Sequence, residues 1–245
     1  LSADKIYWAS AIVSICGITF QVLLGAVGSY TLGDSVRQYA FTIGLFLSGM
    51  GVGSFISEKV MTRLMERFVQ IELLIGVIGG LSSFSMFYVL AYHDTAVAQL
   101  FLYSLTFFIG GLTGLELPLL IRRANEIGEQ LNRSAARVLF SDYAGSLVGS
   151  IAFALLLRPW LGLIQTAFLI GMINIAVALW MMYIFRGEMR FKKFYPVLGT
   201  VLFLLLGTGF LYGEEVAYGF EQKLYRDQIV RAFDTPYQRV IVTKE

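Results

Sequence analysis

Four polar side chains interrupt otherwise apolar runs, and each suggests a chemistry. Glu116 lies in Gly114-Leu115-Glu116-Leu117-Pro118, less than two helical turns before Arg122. An ionisable group in hydrocarbon costs roughly 3 kcal/mol or more, so Glu116 must face protein or water. Pro118 removes a backbone donor and can free a carbonyl nearby. A carboxylate beside a freed carbonyl suits a polyamine or another cation; the plainer alternative is an ion pair with a loop arginine. Asp142, next to Tyr143, is a second candidate acid, with Arg137 as its candidate partner at a membrane edge. Gln21 and Asn174 can line a pathway or hydrogen-bond to neighbouring helices.

The elements that carry these residues follow from composition. Of 245 residues, 57% are hydrophobic and 15% charged, with a mean hydropathy of +0.70. A soluble domain has roughly 25% charged residues, so an all-α polytopic membrane protein in contact with a lipid bilayer is expected. A span needs about 20 mainly apolar residues. Seven runs qualify: 6–27, 39–57, 68–91, 97–121, 140–157, 163–185 and 194–212. The fifth is the shortest, and Asp142 lies near its start. A net charge of +2 gives no footprint for nucleic acid. One cysteine, Cys16, excludes an internal disulfide, and the one histidine, His93, sits in a short turn. No Walker loop, dinucleotide glycine fingerprint or metal-ligand spacing occurs, so no metal site is expected.

Glycines recur four residues apart at Gly49 and Gly53, Gly110 and Gly114, Gly145 and Gly149. Such spacing puts a smooth strip on one helix face, suited to a static helix seam or to a moving interface. Lysine and arginine concentrate after the second, fourth and sixth spans; the loops after the first, third and fifth hold only Arg37 and Arg158. The positive-inside rule then places the amino terminus in the cytoplasm. Seven spans would deliver the tail to the outer face.

After residue 213 the pattern changes. Runs 228–233 and 238–243 alternate apolar and polar residues around Asp234-Thr235-Pro236, which supplies turn chemistry. This predicts a β-hairpin, and an isolated hairpin is only marginally stable, so a larger sheet is expected beyond it. The division is therefore a multi-span domain over 1–213 and the start of a truncated soluble domain over 214–245.

The tail resembles the leading hairpin of the spermidine synthase (polyamine aminopropyltransferase) catalytic domain. The family's [S/T]-x-[Y/F]-Q-x-[I/V] segment is matched by Thr235-Pro236-Tyr237-Gln238-Arg239-Val240. Some bacterial members carry a multi-span region ahead of the enzyme domain, an order similar to this one. The resemblance implies a parent enzyme that moves a propylamine group from decarboxylated S-adenosylmethionine to putrescine, giving spermidine and methylthioadenosine. It assigns Gln238 to the nucleoside part of the donor and places the catalytic residues downstream, so none is expected within 1–245. It implies no bound cofactor, decarboxylated S-adenosylmethionine as co-substrate, polyamines as ligands, a homo-oligomer and a multi-pass place in the cell (inner) membrane. It also raises a conflict, because this donor is a cytoplasmic metabolite and the charge rule sends the tail outward. A cation transporter-like module and a pure anchor are the alternatives.

Overall fold

A computed structural model describes residues 3–128, 130–223, 227–234 and 239–244. Eight α-helices precede one hairpin: α1 Asp4–Leu32, α2 Ser35–Ile56, α3 Leu64–Gly80, α4 Ser82–Tyr92, α5 Thr95–Glu126, α6 Leu131–Ala152, α7 Arg158–Ile184 and α8 Phe194–Gln222. Local chemistry sets several boundaries. The carboxylates of Asp34 and Asp94 accept hydrogen bonds from the backbone of Arg37 (3.2 Å) and Val97 (2.9 Å), capping α2 and α5. Pro196 lies in the first turn of α8, where a missing N–H loses no helical bond. Pro118 is different: it lies inside α5, which continues through it to Glu126.

Five helical runs among the described residues are long and apolar enough to cross a membrane. The pair α3 and α4, bent by 43°, makes a sixth. One of the five, Leu131–Ile184, is 54 residues long and cannot be a single leg. At about 1.5 Å per residue it would reach roughly 80 Å if straight, far beyond a bilayer of about 30 Å. Gly162 breaks it, with φ 69° and ψ −170°, a conformation that glycine adopts without penalty. A π-helical turn, Phe153–Leu157, precedes the break. Thr166 Oγ1 donates to the Leu157 carbonyl at 3.3 Å. In a continuous helix nine residues rise about 13 Å, so this bond requires the chain to fold back.

The helices therefore form seven legs, with α3 and α4 together as the third. Helix contacts fix their directions. α1 meets α2 with Gly28 against Gln38 and Gly25 against Tyr39, so the two run antiparallel. α5 runs parallel to α2, and α6 parallel to α1. α7 is antiparallel to α3, pairing Gly76 with Ile175 and Gly80 with Gly171. α8 is antiparallel to α7, pairing Gly199 with Leu179 and Gly209 with Phe168. Successive legs alternate, and Asp4 and Gln222 lie at opposite ends of the bundle.

The glycine strips are consumed inside this chain. Cβ atoms at Gly49 and Gly53 would collide with backbone atoms of Phe107 and Gly111, and those at Gly110 and Gly114 with Phe46 and Met50. Gly145 and Gly149 lie equally close to Ala11 and Ile15 of α1. These are close seams between neighbouring helices of the same chain.

At the carboxyl end, β1 Gln228–Asp234 pairs antiparallel with β2 Arg239–Lys244, from Gln228 opposite Lys244 to Asp234 opposite Arg239. Each strand runs one residue further than expected, to Asp234 and to Lys244. The helix before them shifts further: α8 runs unbroken through Gly213-Glu214-Glu215 to Gln222, past the expected domain boundary at 213. Its last turns hold the hairpin. Tyr218 donates to the Ile229 carbonyl (3.0 Å), Gln222 Nε2 to the Asp227 carbonyl (2.9 Å), and the Ile229 N–H to Gln222 Oε1 (2.8 Å). Ile229 is buried against this end.

Candidate functional site

The interior of the bundle brings together two carboxyl groups. Glu72 of α3 is wholly buried, and Glu116 of α5 is 4% exposed. Their side chains lie within hydrogen-bonding reach of one another. No N–H or hydroxyl donor reaches either oxygen of Glu72 among the described residues. A hydrogen bond between two carboxyls requires a proton between them, since an ionised carboxylate only accepts. Two full negative charges at about 4 Å would repel by roughly 4 kcal/mol even at an effective dielectric of about 20. The pair therefore needs a cation, supplied by a proton or by a ligand.

Four helices converge here. Cys16 of α1, buried, lies within electrostatic reach of both glutamates, and Asp142 of α6 within reach of Glu116. Asp142 accepts a hydrogen bond from Ser14 Oγ of α1, a contact that ties α6 to α1. One turn away, Ser10 Oγ donates to the Val138 carbonyl at 3.2 Å. Thr113 lies three residues before Glu116, hence on the same face of α5. Its hydroxyl is buried and has no hydrogen-bond partner among the described residues. It faces α1 at Gly17, the neighbour of Cys16, where a Cβ would sit 3.1 Å from Thr113 Cγ2 and 3.9 Å from Oγ1.

The expected arginine partners are engaged elsewhere. Arg122 donates to the carbonyls of Pro118 (Nε, 3.1 Å), Val60 (2.9 Å) and Ser57 (2.8 Å), closing the end of α2 instead of pairing with Glu116. The Arg137 guanidinium lies over the Tyr7 ring, 5.6 Å from its centroid, while Asp142 turns to Ser14. Both ion-pair alternatives are thus replaced by contacts that the chain order hides. The described ion pairs, Arg123–Glu126 at 2.8 Å and Arg123–Glu188, lie on the rim.

Of the other polar candidates, Asn174 of α7 is buried with its amide nitrogen unpartnered among the described residues, and Gln21 of α1 is buried. Gln238 lies outside the described residues. Glu72 was missed by the sequence reading, although its signal is the one that marks Glu116: a lone acid in an apolar run. It lies inside the third apolar run, 68–91, in the second turn after the charged stretch ending in Glu66-Arg67. No group of three His, Cys, Asp or Glu side chains is placed to hold a metal ion among the described residues.

Fold and site together define a bundle of long apolar helices with a carboxyl pair in its interior and a hairpin at one end. Proteins similar to it in sequence include several polyamine aminopropyltransferases. A polyamine aminopropyltransferase of Oceanobacillus iheyensis is 53% identical over 240 residues, 98% of this chain and 47% of that protein. One from Leptospira interrogans is 37% identical over 239 residues, 98% of this chain and 47% of its own length. A third, polyamine aminopropyltransferase 2 of Ralstonia nicotianae, is 37% identical over 238 residues. The chain spans about half the length of the curated relatives it matches. No family model matches the chain, and no solved structure matches it.

Proposed function

We propose that this chain is the membrane-embedded part of a polyamine aminopropyltransferase. The observation that carries the reading is 53% identity across 98% of the chain to a protein of that name. The legs cross the inner membrane seven times, with α3 and α4 as one bent span. Their outward faces, including Leu47 and Phe55 of α2 and Leu204 and Leu205 of α8, are exposed and apolar, as contact with lipid or a second copy requires.

The hairpin opens the soluble half, and Gln238 contacts the nucleoside part of decarboxylated S-adenosylmethionine. That half transfers the propylamine group to putrescine: the amine nitrogen attacks carbon, the C–S bond breaks, and methylthioadenosine leaves. The attacking amine must first lose its proton, because an ammonium has no lone pair. A cation transporter-like function is the second reading, favoured by the buried Glu72–Glu116 pair.

Aminopropyl transfer by the full-length gene product, in sealed vesicles of each orientation, tests the proposal. Labelled donor and putrescine are supplied from outside. With basic loops in the cytoplasm, the alternating legs put the hairpin on the outer face, so activity is expected in right-side-out vesicles. Activity only in inside-out vesicles would reverse the orientation. Absence of activity in both, and after detergent opens them, would sink the enzyme reading.

A further inference from the structure

We infer that Glu72, Glu116 and Thr113 form an intramembrane binding site for the ammonium group of a linear alkylamine. The inference rests on the reading that the whole protein handles polyamines, but the site is argued from its own geometry. An ammonium carries three N–H donors and no acceptor. Two buried carboxyls and one buried, unpartnered hydroxyl offer three acceptors, drawn from α3 and α5. No lysine or arginine among the described residues pairs with either glutamate, which leaves the place of the cation open to a ligand.

A metal ion fits less well. Hard divalent cations take about six or more oxygens. Two carboxyls and one hydroxyl supply five. The charged and titratable groups facing the pair are also suited to a cation: Cys16 from α1 and Asp142 from α6 add no positive charge.

In the free protein the two carboxyls close on each other across one proton. An entering ammonium separates them, and that proton is released. The positive charge held by the pair is conserved, while hydrogen bonds to the ammonium replace the carboxyl–carboxyl bond. The Thr113 hydroxyl gains the partner it lacks.

Infrared difference spectra of the full-length protein in lipid nanodiscs, on adding putrescine at constant pH, read this exchange directly. Wild type should lose intensity in the protonated-carboxyl stretching band. Glu72→Gln and Glu116→Gln should each abolish that change. Thr113→Val keeps both acids and nearly the same shape, so it should retain the band change and need about fivefold to tenfold more putrescine. Thermal unfolding of each variant separates lost binding from lost folding, and Thr113→Val remains informative where a glutamate variant fails to fold. A band that responds to pH but not to putrescine would make the pair a proton site only and overturn the inference. So would a putrescine response that survives both glutamine variants. Aminopropyl transfer measured on the same preparation separates the two readings: a band change without transfer sinks the enzyme, and transfer without a band change sinks the site.

Discussion

At the scale of single residues, arginine decides more than its charge count suggests. Arg122 has a glutamate of its own helix within two turns, yet it binds three carbonyl oxygens. Its planar fork matches the carbonyls at the end of α2 and in the following turn, where helical N–H donors have run out. A bond from a charged donor is worth roughly 1.5–3 kcal/mol. Arg122→Met should therefore lower stability by about 2 kcal/mol or more, seen as a fall of about 4–8 °C in Tm in detergent. Arg122→Lys should recover only part of it, because an ammonium cannot span the three acceptors. A lysine variant with the wild-type Tm would remove the fork from the account.

At the scale of elements, glycine position separates seam from surface. Gly53 sits where its missing Cβ leaves room for the Gly111 carbonyl, whereas nothing lies within 4 Å of a Cβ at Gly51. Gly53→Ala must push α2 from α5 and should cost about 1–3 kcal/mol, the usual range for overpacking. Gly51→Ala should be neutral or stabilising by up to about 1 kcal/mol through helix propensity. Thermal unfolding of the two variants side by side checks this, and equal losses would mean the seam is not as drawn. The same glycines do not form an oligomer interface, since their strips are covered within the chain. Gly162 acts differently: its positive φ turns one long apolar run into two legs.

At the scale of the whole molecule, the ends of the bundle differ in charge. Ser57, Glu66, Arg122, Arg123, Glu188 and Tyr195 meet at one end. At the other, Tyr30 bonds Glu221, and Lys223 bonds Tyr92 and lies over its ring, 4.1 Å from the centroid. The hairpin belongs to this second end, away from most basic loops. Cysteine labelling tests the two-sidedness, and Cys16, the one cysteine of these 245 residues, is buried. His93→Cys and Lys192→Cys place thiols on exposed residues at the two ends. An impermeant maleimide should label Lys192→Cys only in inside-out vesicles and His93→Cys only in right-side-out ones. Labelling of both from the same side would refute alternating legs.

Much of this protein is legible in its sequence because apolar length is a local property. Twenty apolar residues announce a helix of membrane length wherever they occur, and the charges between such runs mark the loops. The hairpin is equally local, since alternation and turn residues need no distant partner. Pairing is another matter. Glu72 and Glu116 are 44 positions apart, and nothing in either neighbourhood says that α3 and α5 bring them face to face. Arg122 turning to α2, Asp142 turning to Ser14, and α8 continuing past Gly213 to hold the hairpin were also invisible locally. Each depends on which helix lies alongside, and that is set by glycine seams and packing across the whole bundle. Only the tertiary structure could make a site of two lone acids.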